Sequence, residues 1–247
     1  MSSSLRAHRR RLVLITAMSG AAAILASTIA LTGTSGGPSA KETPASSTST
    51  AAPDEQETSL LALARREAKD PLAKGQADAP VVMIVYSDFQ CPFCGKFARE
   101  TEPQLVREYV DKGVLRIEWR NFPVFGAESE RAARAAWAAG QQGRFWQFHD
   151  VAHEKPRERN KGEFSAARLR DMAREAGVAD LDRFSTDTES EAANEAVSKD
   201  QEEGYALGVS STPAFLVNTT PILGAQPLTA FAAAVEKAAE EAGEAAR

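Results

Sequence analysis

Only two cysteines and three histidines occur in the 247 residues. Two thiols cannot staple a small disulfide-dense scaffold, and they are too few for a four-thiolate zinc or iron–sulfur centre. With His8, His149 and His153 as the whole histidine complement, a three-histidine metal centre is nearly excluded as well. Basic residues are not in excess. The chain has 29 Lys+Arg against 34 Asp+Glu, a formal net charge of −5, and so lacks the basic face that nucleic-acid binding asks for. No internal repeat is visible. What remains is 43% hydrophobic and 26% charged, ordinary values for a packed domain, in a length that fits one domain or one large domain with an appendage.

Acidic residues are missing from the first 41 positions, where Arg6, Arg9, Arg10 and Arg11 precede LVLITAMSGAAAILASTIALTG. About twenty such residues at ~1.5 Å each span a ~30 Å hydrocarbon core. The arginines hold their end in the cytoplasm and direct the remainder outward. The run is longer than a usual signal-peptide core, whereas Thr28-Ile29-Ala30 resembles a small-residue cleavage site. An anchor and a cleaved signal thus both stay open, and export follows from either. No cysteine follows the run, which excludes a lipoprotein anchor. Beyond it, residues 33–54 are Gly, Ala, Ser, Thr and Pro apart from Lys41, Glu42 and Asp54. Such a segment has too little apolar surface to offset ordering entropy and is expected to be a disordered tether.

Folded pattern begins near Ser59 with SLLALARREAK, a short amphipathic helix. Val81–Tyr86 is a near-continuous β-branched and apolar run, as in a strand covered on both faces. After Ser87-Asp88-Phe89-Gln90 comes Cys91-Pro92-Phe93-Cys94, and then a helix predicted over 95–110 with a kink at Pro103. Leu115–Trp119 alternates as a second strand. Helices are predicted at about 128–142, 144–154, 165–176 and 188–207. Ser165 and Asp180 are placed as N-caps, and Gly177 and Gly208 at helix C-termini. Strands at 214–218 and 221–224 and a helix over 228–242 complete the pattern.

The cysteine pair carries the chemistry. Two thiols three apart at a strand-to-helix turn put Cys91 at the helix N-terminus, where backbone N–H groups and the helix dipole stabilise a thiolate. Pro92 suits the first helical position. Cys94, one turn in, is close enough to attack a sulfur bonded to Cys91, which is a device for thiol–disulfide exchange. An inert bridge is the structural alternative, but a loop enclosing two residues constrains the unfolded chain little. A metal site from the pair plus His149 and His153 is the other alternative. Its spacing is far longer than in compact zinc motifs, and Phe145, Trp146 and Phe148 make those histidines part of a packed helix. No metal and no cofactor beyond the redox-active pair are expected.

YSDFQCPFCGKF, RNFPV, STPAFLVN and ILGAQPL together resemble the DsbA family of thioredoxin-fold disulfide oxidoreductases, over about Asp70 to Ala242. The resemblance implies an α/β thioredoxin fold interrupted by an inserted helical domain. The division is then a basic cytoplasmic segment at 1–11, an anchor or signal at 12–32, a linker at 33–58, a thioredoxin-like domain from 59–126 and 209–247, and the helical insertion at 127–208. It implies that Cys91 is the exposed nucleophile, that Cys94 is the resolving thiol, and that Pro213 is a cis proline packed against the pair. Thr212 would present its backbone to an extended substrate segment beside Pro92 and Phe93.

Two positions depart from the family pattern. Val85 stands where many relatives carry a buried carboxylate, while Asp88 belongs to the turn and is expected to be solvated. The usual glycine after the last long strand is absent, since Asn218 is followed by Thr219-Thr220-Pro221. The expected function is an extracytoplasmic oxidant that forms disulfides in exported cysteine-containing polypeptides. A quinone-linked membrane protein would reoxidise it, and nothing resembles an isomerase dimerisation domain, so a monomer is expected. The alternatives are a reductase or isomerase of the same fold, or a tethered binding domain with a structural disulfide.

Overall fold

The β-branched run beginning at Val81 becomes the central strand of a five-stranded sheet in the computed structural model, which describes residues 55–245. In chain order the elements are α1 (Glu55–Leu61), β1 (Ala73–Lys74), β2 (Val81–Ser87), α2 (Pro92–Glu100), α3 (Glu102–Leu105) and a π-helical turn (Val106–Val110). Then come β3 (Leu115–Asn121), α4 (Ala127–Gly140), α5 (Phe145–His153), α6 (Ala166–Glu175), α7 (Leu181–Thr188) and α8 (Glu191–Ala206). The chain closes with β4 (Ala214–Val217), β5 (Thr220–Leu223) and α9 (Leu228–Ala245).

The sheet order is β1-β3-β2-β4-β5, with β2 parallel to β3 and the other pairs antiparallel. Every residue of β2 and β3 is buried, which explains why β2 reads as a continuous apolar run. This is the α/β thioredoxin-type architecture expected, and five helices, α4 to α8, fall between β3 and β4 where an insertion was predicted. They do not have a core of their own. Phe145 and Phe148 of α5 join Met83, Val85 and Trp119 of the sheet in one hydrophobic cluster, with Phe231 and Val235 of α9.

Several boundaries differ from the sequence reading for identifiable reasons. α1 begins at Glu55, inside the stretch expected as linker, and ends before the basic residues. The backbone N–H groups of Arg65 and Arg66 instead donate to the Glu118 carboxylate (3.0 and 2.8 Å), and Arg66 has φ of 49°, so the helix cannot continue there. The helix after the cysteines starts at Pro92 rather than residue 95, and Pro103 splits it rather than kinking it. Thr101 closes α2 and precedes α3, with Pro103 in the first turn of α3, where its missing N–H is harmless. Asp180 does cap a helix, by accepting from the N–H groups of Asp182 and Arg183, but that helix is α7, which lies outside the predicted helical ranges. Asn218 supplies the conformation of the missing glycine, with φ of 49°, and its side chain accepts from Val82 N–H (2.9 Å).

The expectations for residues 1–54 lie outside the described residues, and among the described residues no helix is long and apolar enough to cross a membrane.

Candidate active site

Cys91 occupies the N-cap of α2, with extended backbone (φ −76°, ψ 120°) and Pro92 beginning the helix. The preceding turn is built by Asp88. Its carbonyl accepts from Cys91 N–H (3.0 Å), and one carboxylate oxygen accepts from Gln90 N–H (2.7 Å) and the Ser129 hydroxyl (2.7 Å). The other oxygen accepts from the N–H groups of Val124 and Phe125 (2.7 and 3.2 Å). Asp88 is 1% exposed. This corrects the sequence reading: Asp88 is a buried anchor, not a solvated turn residue. Four donors spread over three segments replace the water it would otherwise bind. Asp88→Ala leaves those neutral donors without their acceptor, and we expect a loss of about 3 kcal/mol in stability, the upper end of the cost of unsatisfied buried polar groups. Asp88→Asn, which keeps acceptor capacity on one oxygen only, is expected to lose less. Denaturant unfolding of the two variants beside the parent protein measures both.

Both cysteines are buried thiols in this state, 3% and 2% exposed. The expectation of an exposed nucleophile is therefore corrected. Cys91 lies at the wall of two hollows of about 130 and 380 Å³, which leave a route to its sulfur between the exposed Phe93 and the loop at Ser211 and Thr212. The Thr212–Pro213 peptide is cis, as the resemblance implied. Cys91 S–H donates to the Thr212 carbonyl at 3.2 Å, so that oxygen is occupied in the thiol state and free for a substrate only when the sulfur is ionised or oxidised. Phe93 is 62% exposed, and it joins Cys91, Pro92, Thr212 and Val124 around the larger hollow.

The two thiols have opposite acidities. The Cys91 thiol is lowered to about 6, first by a hydrogen bond from the Cys94 thiol, acting against burial. The neighbouring Thr212 side chain and the backbone N–H groups of Cys94 and Phe93 add to the effect. Burial pushes the Cys94 thiol up, and the negative charge of Cys91 pushes it further, against donors at Asp88 and Ser87. Val85, the position of the absent carboxylate, lies between Trp119 and Phe215 in the sheet and is 2% exposed among apolar neighbours. No carboxylate from β2 therefore opposes a thiolate on Cys91 or serves as a base for Cys94.

His149 and His153 do not join the cysteines as ligands. His153 stacks on Phe89 (5.1 Å between ring centroids), and burial lowers its basicity. His149 lies between Asp150 (3.0 Å) and Glu102 (3.6 Å). Those three are the one grouping of possible ligands among the described residues, and it includes neither thiol, while Glu102 is already paired with Lys74 (3.1 Å). The sequence reading missed two further site residues. Gln90 donates to Asn160 (3.2 Å) and accepts from its N–H (2.7 Å), fastening the 155–164 loop beside Cys91. Neither residue type nor spacing signals a contact across seventy positions.

A family model described as thioredoxin matches residues 67–237. A probable disulfide bond formation protein D of Bacillus cereus is 31% identical over 147 residues, 58% of this chain and 68% of that protein. A Na(+)/H(+) antiporter, NhaA 1 of Salinispora arenicola, is 34% identical over 169 residues, 67% of this chain; the chain spans only 24% of that protein's length. Among solved structures, oxidised BdbD from Bacillus subtilis superposes with a TM-score of 0.65 at 23% identity, covering 70% of this chain and 95% of that one, which is a likeness of fold.

Proposed function

Since this chain belongs to the DsbA-like thioredoxin-fold family of thiol–disulfide oxidoreductases, we propose that it acts outside the cytoplasm as an oxidant, forming disulfides in exported polypeptides through the Cys91–Cys94 pair. The observation that carries this reading is the placement of the pair, with Cys91 at the N-cap of α2 beside the cis Thr212–Pro213 peptide and Cys94 buried one turn in. That placement lowers the Cys91 thiol to about 6 and raises that of Cys94. A stabilised Cys91 thiolate favours the reduced form of the pair, and a pair that is stable when reduced is a good oxidant of others.

In the forward step a client thiolate attacks Cys91 Sγ of the oxidised pair. The Cys91–Cys94 bond breaks, a client–Cys91 disulfide forms, and Cys94 leaves as a thiolate that takes up a proton because its buried site favours the neutral thiol. A second client thiolate then attacks the client sulfur of the mixed disulfide and expels Cys91. The client loses two electrons and two protons. The pair gains the two electrons, Cys94 keeps one proton, and above the Cys91 pKa the other goes to solvent. A low-pKa Cys91 is a good leaving group for this second step. Reduction would require Cys94 to be deprotonated inside its buried site, and Val85 provides no base for that. Turnover requires reoxidation, which we assign to a quinone-linked membrane protein, with the apolar segment at 12–32 holding the domain at the same membrane or serving as the export signal.

Oxidised protein mixed with a reduced two-cysteine polypeptide tests the reading. The expected result is stoichiometric client disulfide with loss of the Cys91–Cys94 bond, and much slower reduction of insulin by the reduced protein. Faster insulin reduction than client oxidation would support the reductase.

A further inference from the structure

Resting on that reading, we propose that the site selects clients whose reactive cysteines are flanked by acidic residues. The chain as a whole is acidic, yet the charged residues lining the hollows beside its nucleophile are all basic. The smaller hollow beside Cys91 is walled by Arg99, Lys155 and Arg157, and the larger by Arg159. No aspartate or glutamate lines either one. Arg157 is partly answered by Glu163 (3.2 Å), and Arg99 donates to the His153 carbonyl (2.9 Å). Lys155 and Arg159 are exposed, and neither has a carboxylate partner among the described residues.

The Arg159 charge is held in place, and the loop that carries both residues is fastened at its backbone. Arg159 lies over the Phe125 ring (4.5 Å), a cation–π contact that leaves the outer edge of its guanidinium available. Its neighbour Asn160 is bonded on both sides to Gln90, adjacent to Cys91. Further along, the N–H groups of Gly162 and Phe164 donate to the Glu128 carboxylate (2.9 and 3.1 Å), which ties the same loop to α4. A client segment reaching Cys91 through either hollow therefore passes positive charge. Acidic side chains next to the client cysteine meet complementary charge there, whereas basic ones are repelled. The attacking client thiolate is itself negative and approaches through the same field.

The test uses oxidised protein and two reduced peptides that differ only in having Asp and Glu, or Lys and Arg, beside their cysteine pair. Each rate is divided by that peptide's rate with the uncharged hydroxyethyl disulfide, which removes the effect of flanking charge on the peptide thiol itself. We expect the acidic peptide to be favoured about tenfold at low salt, the lower end of electrostatic steering. The preference should collapse near 1 M salt, where the screening length is ~3 Å. In the Lys155→Glu/Arg159→Glu double variant it should vanish or invert. Because both peptides meet the same sample, partial misfolding of the variant lowers both rates and leaves their ratio intact. Equal corrected rates with the parent protein, or a preference that survives the double substitution, would overturn this inference and leave the oxidant reading standing. Reaction with neither peptide would overturn both.

Discussion

Cys91→Ser is expected to abolish catalysed disulfide exchange, with both insulin reduction and oxidation of a reduced polypeptide falling to the uncatalysed rate. Cys91 is the sulfur that borders both hollows, and it alone has its acidity shifted toward the thiolate. Cys94→Ala is expected to behave differently. Cys91 then still forms mixed disulfides, but no internal thiol can displace the bound client, so adducts accumulate and can be isolated with their partners. Removing Cys94 also removes the largest donor to the Cys91 sulfur, so the Cys91 thiol of this variant should titrate at higher pH than in the parent. Thiolate absorbance against pH measures that shift. Adducts forming on Cys94 in Cys91→Ala with equal yield would reverse the assignment of nucleophile.

The second large effect concerns a residue far from the chemistry. Glu118 is completely buried on β3 and receives Arg116 Nε (2.8 Å), Arg120 Nη2 (3.0 Å) and two backbone N–H groups from residues 65 and 66. Arg120 is buried too, and its Nε continues to Glu203 (2.8 Å), which also accepts from the Tyr86 hydroxyl (2.8 Å). Glu118→Ala leaves the buried Arg116 guanidinium without a carboxylate partner and Arg120 with Glu203 alone, a defect that costs about 3–5 kcal/mol. For a domain of this size that is a melting temperature lower by roughly 10 °C. Burial alone would raise the Glu118 carboxyl, but the Arg116 hydrogen bond, the two N–H donors and the Arg120 charge overcome it and hold the group at about 2, against 4.5. A carboxyl depressed in the folded state contributes stability that is present above its unfolded pKa and is lost as pH falls through the folded one. The parent protein should therefore lose stability between about pH 4.5 and 2, and Glu118→Gln should lack this component. Urea unfolding across that range separates the two.

The redox pair was legible because its signals are local. A β-branched run, a CxxC at the strand end, and a Thr-Pro before a later strand each occupy a few adjacent positions. The charged scaffold was not legible, since alternation assigned Glu118 and Arg116 to one face of β3 without showing what covers that face. The cover is the segment after α1, whose N–H groups reach across more than fifty positions. Asp88 misled for a related reason. Aspartate in a turn is ordinarily solvated, and only the approach of Val124, Phe125 and Ser129 makes this one an anchor. The helix around Pro103 divided at Thr101 because the helix could restart there more cheaply than it could absorb a proline.

Equilibration of the pair with glutathione at several pH values tests the account most directly. With a Cys91 pKa near 6, both thiols take up protons on reduction below that pH, but only Cys94 does so above it. At about 30 mV per proton and pH unit for a two-electron couple, the potential should fall by ~59 mV per pH unit below pH 6 and by ~30 mV above it. At pH 7 it should lie well above thioredoxin's value of about −270 mV, yet below DsbA's of about −120 mV, because Phe93 gives the Cys91 thiolate no charged side-chain donor. A potential near −270 mV, with a slope of ~59 mV per unit continuing through pH 8, would contradict the stabilised thiolate and with it the oxidant.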